Sequence, residues 1–119
     1  MVQRIEGVAR QTPAAERVAA VEVDGLRCVA AGGPVDPDAG RAIVDLWHSA
    51  ERAARDRSPC PLDHVVMKTT IGGLAIVRCG DVLVAAIARH GVRPDRLAYE
   101  LRRAVVGLHP GAPQPGGRP

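Results

Sequence analysis

The chain has 119 residues, of which 46% are hydrophobic, so it can bury one core and is too short for two domains of ordinary size. Its formal net charge is +3, and its three cysteines form no C-x-x-C pair. No apolar run reaches the roughly 20 residues of a membrane-spanning helix, and the N-terminus lacks the apolar segment of a secretory signal. We therefore expect a cytoplasmic protein without an integral membrane segment.

The first part of the chain predicts a short helix and a hairpin. Residues 2–10 repeat apolar side chains at helical spacing. Residues 16–23 are rich in β-branched side chains and end at Asp24-Gly25, a pair that favours a two-residue turn because Gly accepts a positive φ angle. A second strand is expected over residues 26–31.

A long amphipathic helix is predicted over residues 37–56, with Asp36 as its N-cap and Pro37 at its first position. A helical wheel separates an apolar packing side from a charged solvent side. Val44 and Trp47 fall on the flank between them, which we interpret as a partly covered contact surface; the alternative is that Trp47 packs on its own sheet. The expected packing side contains Ala39, Ile43, Leu46, Ala50 and Ala53, and the solvent side contains Arg41, Asp45, His48, Arg52 and Arg55.

Two prolines, at positions 59 and 61, end this helix, and a three-strand meander follows. The last strand, VLVAAIA, is apolar throughout, which predicts burial on both faces and a central place in the sheet. The expected strands are 63–71, 74–79 and 82–88, and the expected turns are Gly72-Gly73 and Gly80-Asp81.

The strand over residues 63–71 is the expected edge of the sheet. His64, Lys68 and Thr70 share one side of it, and Thr69 interrupts the other side. A lysine on an edge discourages pairing with other chains, yet an edge strand also offers backbone groups to which a second copy can add. The sequence leaves both interpretations open.

Pro94 begins the last predicted helix, which runs to about residue 107 and allows Arg96 and Glu100 to pair at i, i+4. Its apolar side contains Leu97, Leu101, Ala104, Val105 and Leu108. The Pro/Gly-rich segment that follows cannot build a core. We therefore predict a domain over 1–108 and a disordered tail over 109–119.

No motif predicts catalysis, a metal or a cofactor. The two serines, Ser49 and Ser58, lie outside any G-x-S-x-G turn, and the glycine turns lack the lysine and hydroxyl of a phosphate loop. Cys60 and His64 leave a Cys-His pair open as an alternative. A sheet covered on both faces leaves little concave volume for a substrate, so we expect a protein that is not an enzyme. With only 2% aromatic residues, the chain does not predict a nucleic-acid partner either.

Three segments resemble the roadblock family of dynein light chain-related domains. Residues 18–33, VAAVEVDGLRCVAAGG, resemble the first hairpin of that family, and 72–88, GGLAIVRCGDVLVAAIA, resemble its fourth and fifth strands. Residues 91–108, GVRPDRLAYELRRAVVGL, resemble its closing helix. The segment LAYEL within them is similar to the sequence of actinobacterial members whose operons encode a histidine-kinase-like protein and a GTPase. The chain departs from the family at 90–93, HGVR, where a glycine-rich segment is more usual.

The resemblance implies an α+β fold of roadblock and profilin type. In this fold, a five-stranded antiparallel sheet is sandwiched between one long helix on one face and two terminal helices on the other. It also implies a homodimer. In this dimer the third of the five strands, here residues 64–70, and the middle helix each pair with the same element of the second copy. The implied partners are a small Ras-like GTPase and a histidine-kinase-like protein of the same operon. Bacterial relatives reshape the switch regions of the GTPase itself, so the roadblock chain needs no catalytic residue.

The predicted function is that of a regulatory or scaffold protein that binds a GTPase and modulates its nucleotide cycle or localisation in bacterial signalling. The alternatives are a small-molecule-sensing domain without a GTPase partner and, ranked last, a nucleic-acid-binding protein. The predicted interface residues are Arg41, Val44, Asp45, Trp47, His48 and Arg52 of the middle helix and His64, Val66 and Lys68 of the edge strand.

Overall fold

The computed structural model describes residues 2–24, 27–31, 33–34, 37–57, 62, 64–69 and 72–106. In this part of the chain the helices are α1 (Val2–Arg10), α2 (Pro37–Arg55) and α3 (Pro94–Val106). The strands are β1 (Ala15–Glu22), β2 (Cys28–Ala30), β3 (Gly33–Pro34), β4 (His64–Thr69), β5 (Gly72–Cys79) and β6 (Val82–Ala88). The predicted helices are confirmed to within one or two residues at each end.

The described strands form one antiparallel sheet in the order β3-β2-β1-β6-β5-β4. Five of them match the predicted sheet, and the sixth is the two-residue β3, which pairs with β2 at one edge. β6 lies between β1 and β5, and Leu83 and Val84, which point to opposite faces, are both 0% exposed. The central place of β6 and the edge position of β4 are therefore confirmed.

The predicted turn at Gly80-Asp81 is confirmed. Cys79 pairs with Val82 across it, and Gly80 has a φ angle of 62°, in the left-handed region that Gly occupies without strain. In the first hairpin Val21 lies opposite Cys28, a register that centres the connection on residues 24 and 25. Gly25 itself lies outside the described residues.

The turn predicted at Gly72-Gly73 is wrong, because both glycines lie in β5. Lys68 pairs with Gly73, so the connection between β4 and β5 falls on residues 70 and 71, outside the described part. A Cβ atom at Gly73 would lie 2.8 Å from Pro94 Cγ. The structure therefore uses this glycine to let the start of α3 pack directly on the strand.

Buried side chains form two clusters, one on each face of the sheet. α1 and α3 cover one face, where Ile5, Leu97 and Leu101 are fully buried. α2 covers the other, where Trp47 and Ile76 are fully buried. The predicted sandwich of one long helix and two terminal helices is therefore confirmed.

Glu100 joins the terminal helices to the sheet. The Ala14 backbone N–H donates to Glu100 Oε1 at 2.8 Å, and Arg96 Nε donates to Glu100 Oε2 at 3.3 Å, the predicted i, i+4 pair. Nearby, Thr12 is fully buried and its hydroxyl donates to the Val8 carbonyl at 2.8 Å. The bond from Ala14 to Glu100 holds the segment between α1 and β1 against α3, and the bond from Thr12 ties the same segment to α1.

Candidate interaction surface

Helix α2 is rotated by about a quarter turn from its predicted orientation. Gly40, Val44 and Trp47 face the sheet, and Trp47 is 0% exposed and Val44 8%. Ala39 and Ala53, which the wheel assigned to the packing side, are exposed. The prediction that Val44 and Trp47 form a partly covered contact surface is therefore wrong, because both belong to the core.

The bulk of Trp47 and the smallness of Gly40 explain the rotation. A buried Trp removes about 150–250 Å² from water, more than any two of the alanines on the predicted packing side. Gly40 allows the helix to approach β2, because a Cβ there would lie 3.0 Å from both Cβ and Sγ of Cys28. A wheel that weights all apolar residues alike misses both effects.

The rotation leaves two different flanks of α2 at the surface. One is polar, and we call its exposed members the charged flank. The other carries half-buried apolar side chains next to exposed alanines, and we call it the apolar flank. The charged flank consists of Arg41, Asp45, His48 and Arg52, and the apolar flank of Ile43, Leu46 and Ala50 with Ala39, Ala42 and Ala53.

Glu51 ties the charged side of α2 to the end of the sheet. Its Oε1 lies 3.3 Å from His48 Nδ1, and Arg78 Nη1 donates to its Oε2 at 3.4 Å. Arg78 Nε also donates to the Gly80 carbonyl at 2.9 Å. Such solvated pairs stabilise by at most about 1 kcal/mol, but they fix an orientation. His48 and Glu51 therefore lie on the side of α2 nearest the β5–β6 turn, and the apolar flank lies on the other side of the helix.

Half-buried apolar side chains of the apolar flank and of the nearby sheet edge form a candidate surface, which we call the apolar trough. Its helical and its sheet side chains are half-buried, and all of them except Met67 pack against the α2-side core. A single helix does not cover this whole face of the sheet, and the uncovered part adjoins the edge strand. Partly exposed apolar side chains on one side of a helix and on the edge of the same sheet indicate a binding surface. The trough consists of Ile43 and Leu46 of α2, Val65 and Met67 of β4 and Leu74 of β5.

The predicted interface residues of β4 lie on the opposite face. Val66 pairs with Ala75, which belongs to the core beneath α1 and α3, and His64 and Lys68 share the side of Val66. Val66 is 37% exposed, Lys68 is exposed and His64 is half-buried. The structure therefore places these three side chains on the face of the sheet covered by α1 and α3, away from the charged flank. The backbone edge of β4 is reached from both faces of the sheet.

A cleft of about 530 Å³ lies beside β4, where the start of β5 meets the loop between β6 and α3. The expectation of little concave volume is wrong at this place. Sequence reasoning missed the cleft because its residues come from separate segments, although the departure from the family pattern at 90–93 marks part of it. The charged and ionisable side chains that line the cleft are Glu16, Lys68, Arg89, His90 and Arg93.

Reactive groups are few in the described part of the chain. Burial raises the pKa of the Cys28 and Cys79 thiols, which makes them poor nucleophiles at neutral pH. Cys60, the possible partner of His64, lies outside the described residues. Among the residues described, no three His, Cys, Asp or Glu side chains form a group that could hold a metal ion. In the same residues no helix is long and apolar enough to span a membrane.

Solved structures match this architecture. A roadblock/LC7 domain from Streptomyces avermitilis superposes with a TM-score of 0.70, over 92% of this chain and 95% of that chain, at 17% identity. MglB from Myxococcus xanthus superposes with a TM-score of 0.73, over 90% and 89%, at 12% identity. The chain has the roadblock fold. Profilin IB from Acanthamoeba castellanii matches the same fold less closely, with a TM-score of 0.59 over 90% and 94%, at 17% identity.

No protein-family model and no curated protein matches the sequence. At 12–17% identity these structures establish the roadblock fold and not a shared activity. Function must therefore be argued from the surfaces of this chain.

Proposed function

We propose that this chain is a homodimeric regulatory or scaffold protein that binds a small Ras-like GTPase. The observation that carries the proposal is the apolar trough beside the edge strand β4. The roadblock fold and the sequence resemblance support the GTPase as partner. In this role the chain modulates the nucleotide cycle or the localisation of the GTPase in bacterial signalling and supplies no catalytic residue.

A second copy suits the trough because β4 can pair with its twofold mate across the sheet edge. Such pairing brings two troughs together and removes Ile43, Leu46 and Met67 of both protomers from water. Stable interfaces bury about 1,200–2,000 Å² in total, and an extended strand with a helix flank from each protomer is of that scale. The hydrophobic effect then drives the association, and the strand pairing fixes its register.

The charged flank of α2 remains exposed in such a dimer, because it lies on the side of the helix away from the trough. We assign to it the polar contacts with the GTPase, through Arg41, Asp45, His48 and Arg52. Trp47 supports this surface from below by fixing the helix on the sheet, and it is not itself a contact. A histidine-kinase-like protein of the same operon is the further proposed partner.

The dimer is tested by analytical ultracentrifugation at micromolar concentration. We expect the wild type to be dimeric and Leu46→Glu to be monomeric, because an unpaired carboxylate in an apolar interface costs several kcal/mol. Val106→Glu is the matched control, since Val106 is 45% exposed on α3, on the other face of the sheet. A monomeric wild type, or the same oligomeric state in both variants, would contradict the proposed dimer.

The GTPase partner is tested by pull-down with a small Ras-like GTPase encoded beside this chain, loaded with GDP or with a GTP analogue. We expect binding that depends on the nucleotide and is weakened by Arg41→Glu and Arg52→Glu. Arg57→Glu, just beyond the end of α2, is the control and should bind like the wild type. If the chain neither binds the GTPase nor changes its nucleotide exchange or hydrolysis, the proposal fails, and a ligand-induced thermal shift would then favour the small-molecule sensor.

A further inference from the structure

We infer that the cleft between β4 and the loop before α3 binds a small phosphate-bearing anion with at least two negative charges. Three cationic residues from two distant segments line it: Lys68 from β4, and Arg89 and Arg93 from the loop. Arg93 Nε also lies 3.5 Å from Asp95 Oδ1, in an exposed pair that a ligand can replace. Among the described residues of the lining Glu16 is the one that is acidic, and His90 adds a further nitrogen donor. A concave site with an excess of positive charge focuses the potential and attracts multivalent anions.

The loop that carries two of these cations is held in place. The backbone N–H of Arg89 donates to the Ala14 carbonyl at 2.8 Å, and its side-chain Nε donates to the Pro13 carbonyl at 2.9 Å. The Val92 N–H donates to the Arg89 carbonyl at 3.0 Å, across a turn in which Gly91 has a φ angle of 85°. The Arg89 guanidinium is thereby fixed along one edge, and its two Nη groups still carry four N–H donors for a ligand.

Bare backbone forms part of the lining. Gly72 and Gly73 contribute no side chain, and a Cβ at Gly72 would meet only the Ala88 carbonyl oxygen, at 3.9 Å. The space above Gly72 is therefore open to a ligand, whereas Pro94 covers Gly73. A volume of about 530 Å³ also falls within the range of roughly 300–1,000 Å³ that small-molecule sites occupy.

The chemistry of the lining favours phosphate over other ligands. Guanidinium groups bind phosphate oxygens in pairs, and lysine adds a point charge. The concave shape suits a small molecule or a lipid headgroup, which carry the same phosphate chemistry. This inference goes beyond the proposed function, because the cleft shares no side chain with the apolar trough or the charged flank. Of the predicted interface residues only Lys68 takes part.

The test is isothermal titration calorimetry of the full chain with inorganic pyrophosphate in low-salt chloride buffer. We expect saturable binding of one pyrophosphate per chain, weakened about tenfold by Lys68→Gln and by Arg93→Gln through loss of one charge-assisted hydrogen bond each. Glu16→Gln should strengthen binding severalfold, because it removes the opposing charge. Arg57→Gln makes the same charge change on the other side of the sheet and should bind like the wild type.

Two further measurements separate the sources of the phosphate and guard against misfolded variants. If the ligand is a lipid headgroup, vesicles of phosphatidylcholine with a few per cent phosphatidylinositol bisphosphate should capture the chain, and pyrophosphate should compete with them. If the ligand is a small soluble phosphate, these vesicles should not capture the chain. Amide NMR shifts of Gly72, Gly73 and Gly91 on addition of pyrophosphate report binding in the wild type itself. Unmoved glycine amides, or an equal loss of affinity in Arg57→Gln and Lys68→Gln, would overturn the assignment. The assay contains no GTPase, so its failure leaves the proposed function untouched.

Discussion

Replacement of Trp47 by alanine should destabilise the fold itself. The side chain is fully buried at the centre of the α2-side core, in the same cluster as Val21, Ile76 and Leu83. Truncation of a buried Trp to Ala costs about 3–5 kcal/mol, out of the roughly 5–15 kcal/mol by which a domain is stable. We expect Trp47→Ala to lower the free energy of unfolding by about 4 kcal/mol, which moves the urea midpoint by about 2 M at an ordinary m-value.

Replacement of Trp47 by phenylalanine should be much milder. The indole Nε1 is buried and has no hydrogen-bond partner among the described residues. A buried N–H without an acceptor costs about 1–3 kcal/mol, so Phe loses volume but also removes that penalty. We expect a loss below about 2 kcal/mol, at most half of that for Trp47→Ala.

Both expectations are measured by urea unfolding followed by circular dichroism, since the variants lack the chain's one tryptophan. In the wild type the fluorescence of Trp47 gives an independent measure of its burial. Acrylamide should quench it weakly in the folded chain and strongly in urea. Equal quenching in both states, or a Trp47→Ala variant of wild-type stability that no longer self-associates, would refute the core assignment and restore Trp47 as an exposed contact.

Substitutions at two further positions, Gly73 and Glu100, test the packing of α3, each beside a control variant. Gly73→Ala places a Cβ 2.8 Å from Pro94 Cγ and should cost about 1–3 kcal/mol, whereas Gly80→Ala has nothing within 4 Å and should cost only about 1–2 kcal/mol for its left-handed φ. Thermal unfolding measures both, and a loss below about 1 kcal/mol in Gly73→Ala would contradict the close approach. Glu100→Ala leaves the Ala14 N–H without its 2.8 Å acceptor and should cost about 1–3 kcal/mol, while Glu100→Gln keeps an acceptor and should cost less in urea unfolding. Equal losses in these two variants would show that the hydrogen bond does not matter.

The sequence predicts most of the architecture because the signals are local. The apolar run 82–88 predicts a central strand from its composition alone, and Gly80 predicts its turn from φ preferences alone. Pro37 and Pro94 mark the first residues of two helices for the same kind of reason. None of these predictions requires knowledge of what the segment packs against.

The predictions that fail concern contacts between distant segments. The orientation of α2 depends on how closely Gly40 approaches Cys28, and the role of Gly73 depends on Pro94 lying above it. The cleft likewise exists because β4 and the loop before α3 meet in space. A periodicity or a turn signal carries no information on such approaches.

The error in predicting which face of α2 packs on the sheet is itself an argument for the proposed dimer. A wheel finds residues that avoid water, whatever covers them. Ile43, Leu46 and Ala50 are apolar at helical spacing, yet the single chain leaves them only half-buried, while Val44 and Trp47 fill the core. If a second copy covers the apolar flank, the wheel has identified the interface face of the helix, and the core face with Val44 and Trp47 lies about a quarter turn away. Leu46→Glu and Trp47→Ala then separate the two faces, since the first should abolish dimers and spare the fold while the second should destabilise the fold.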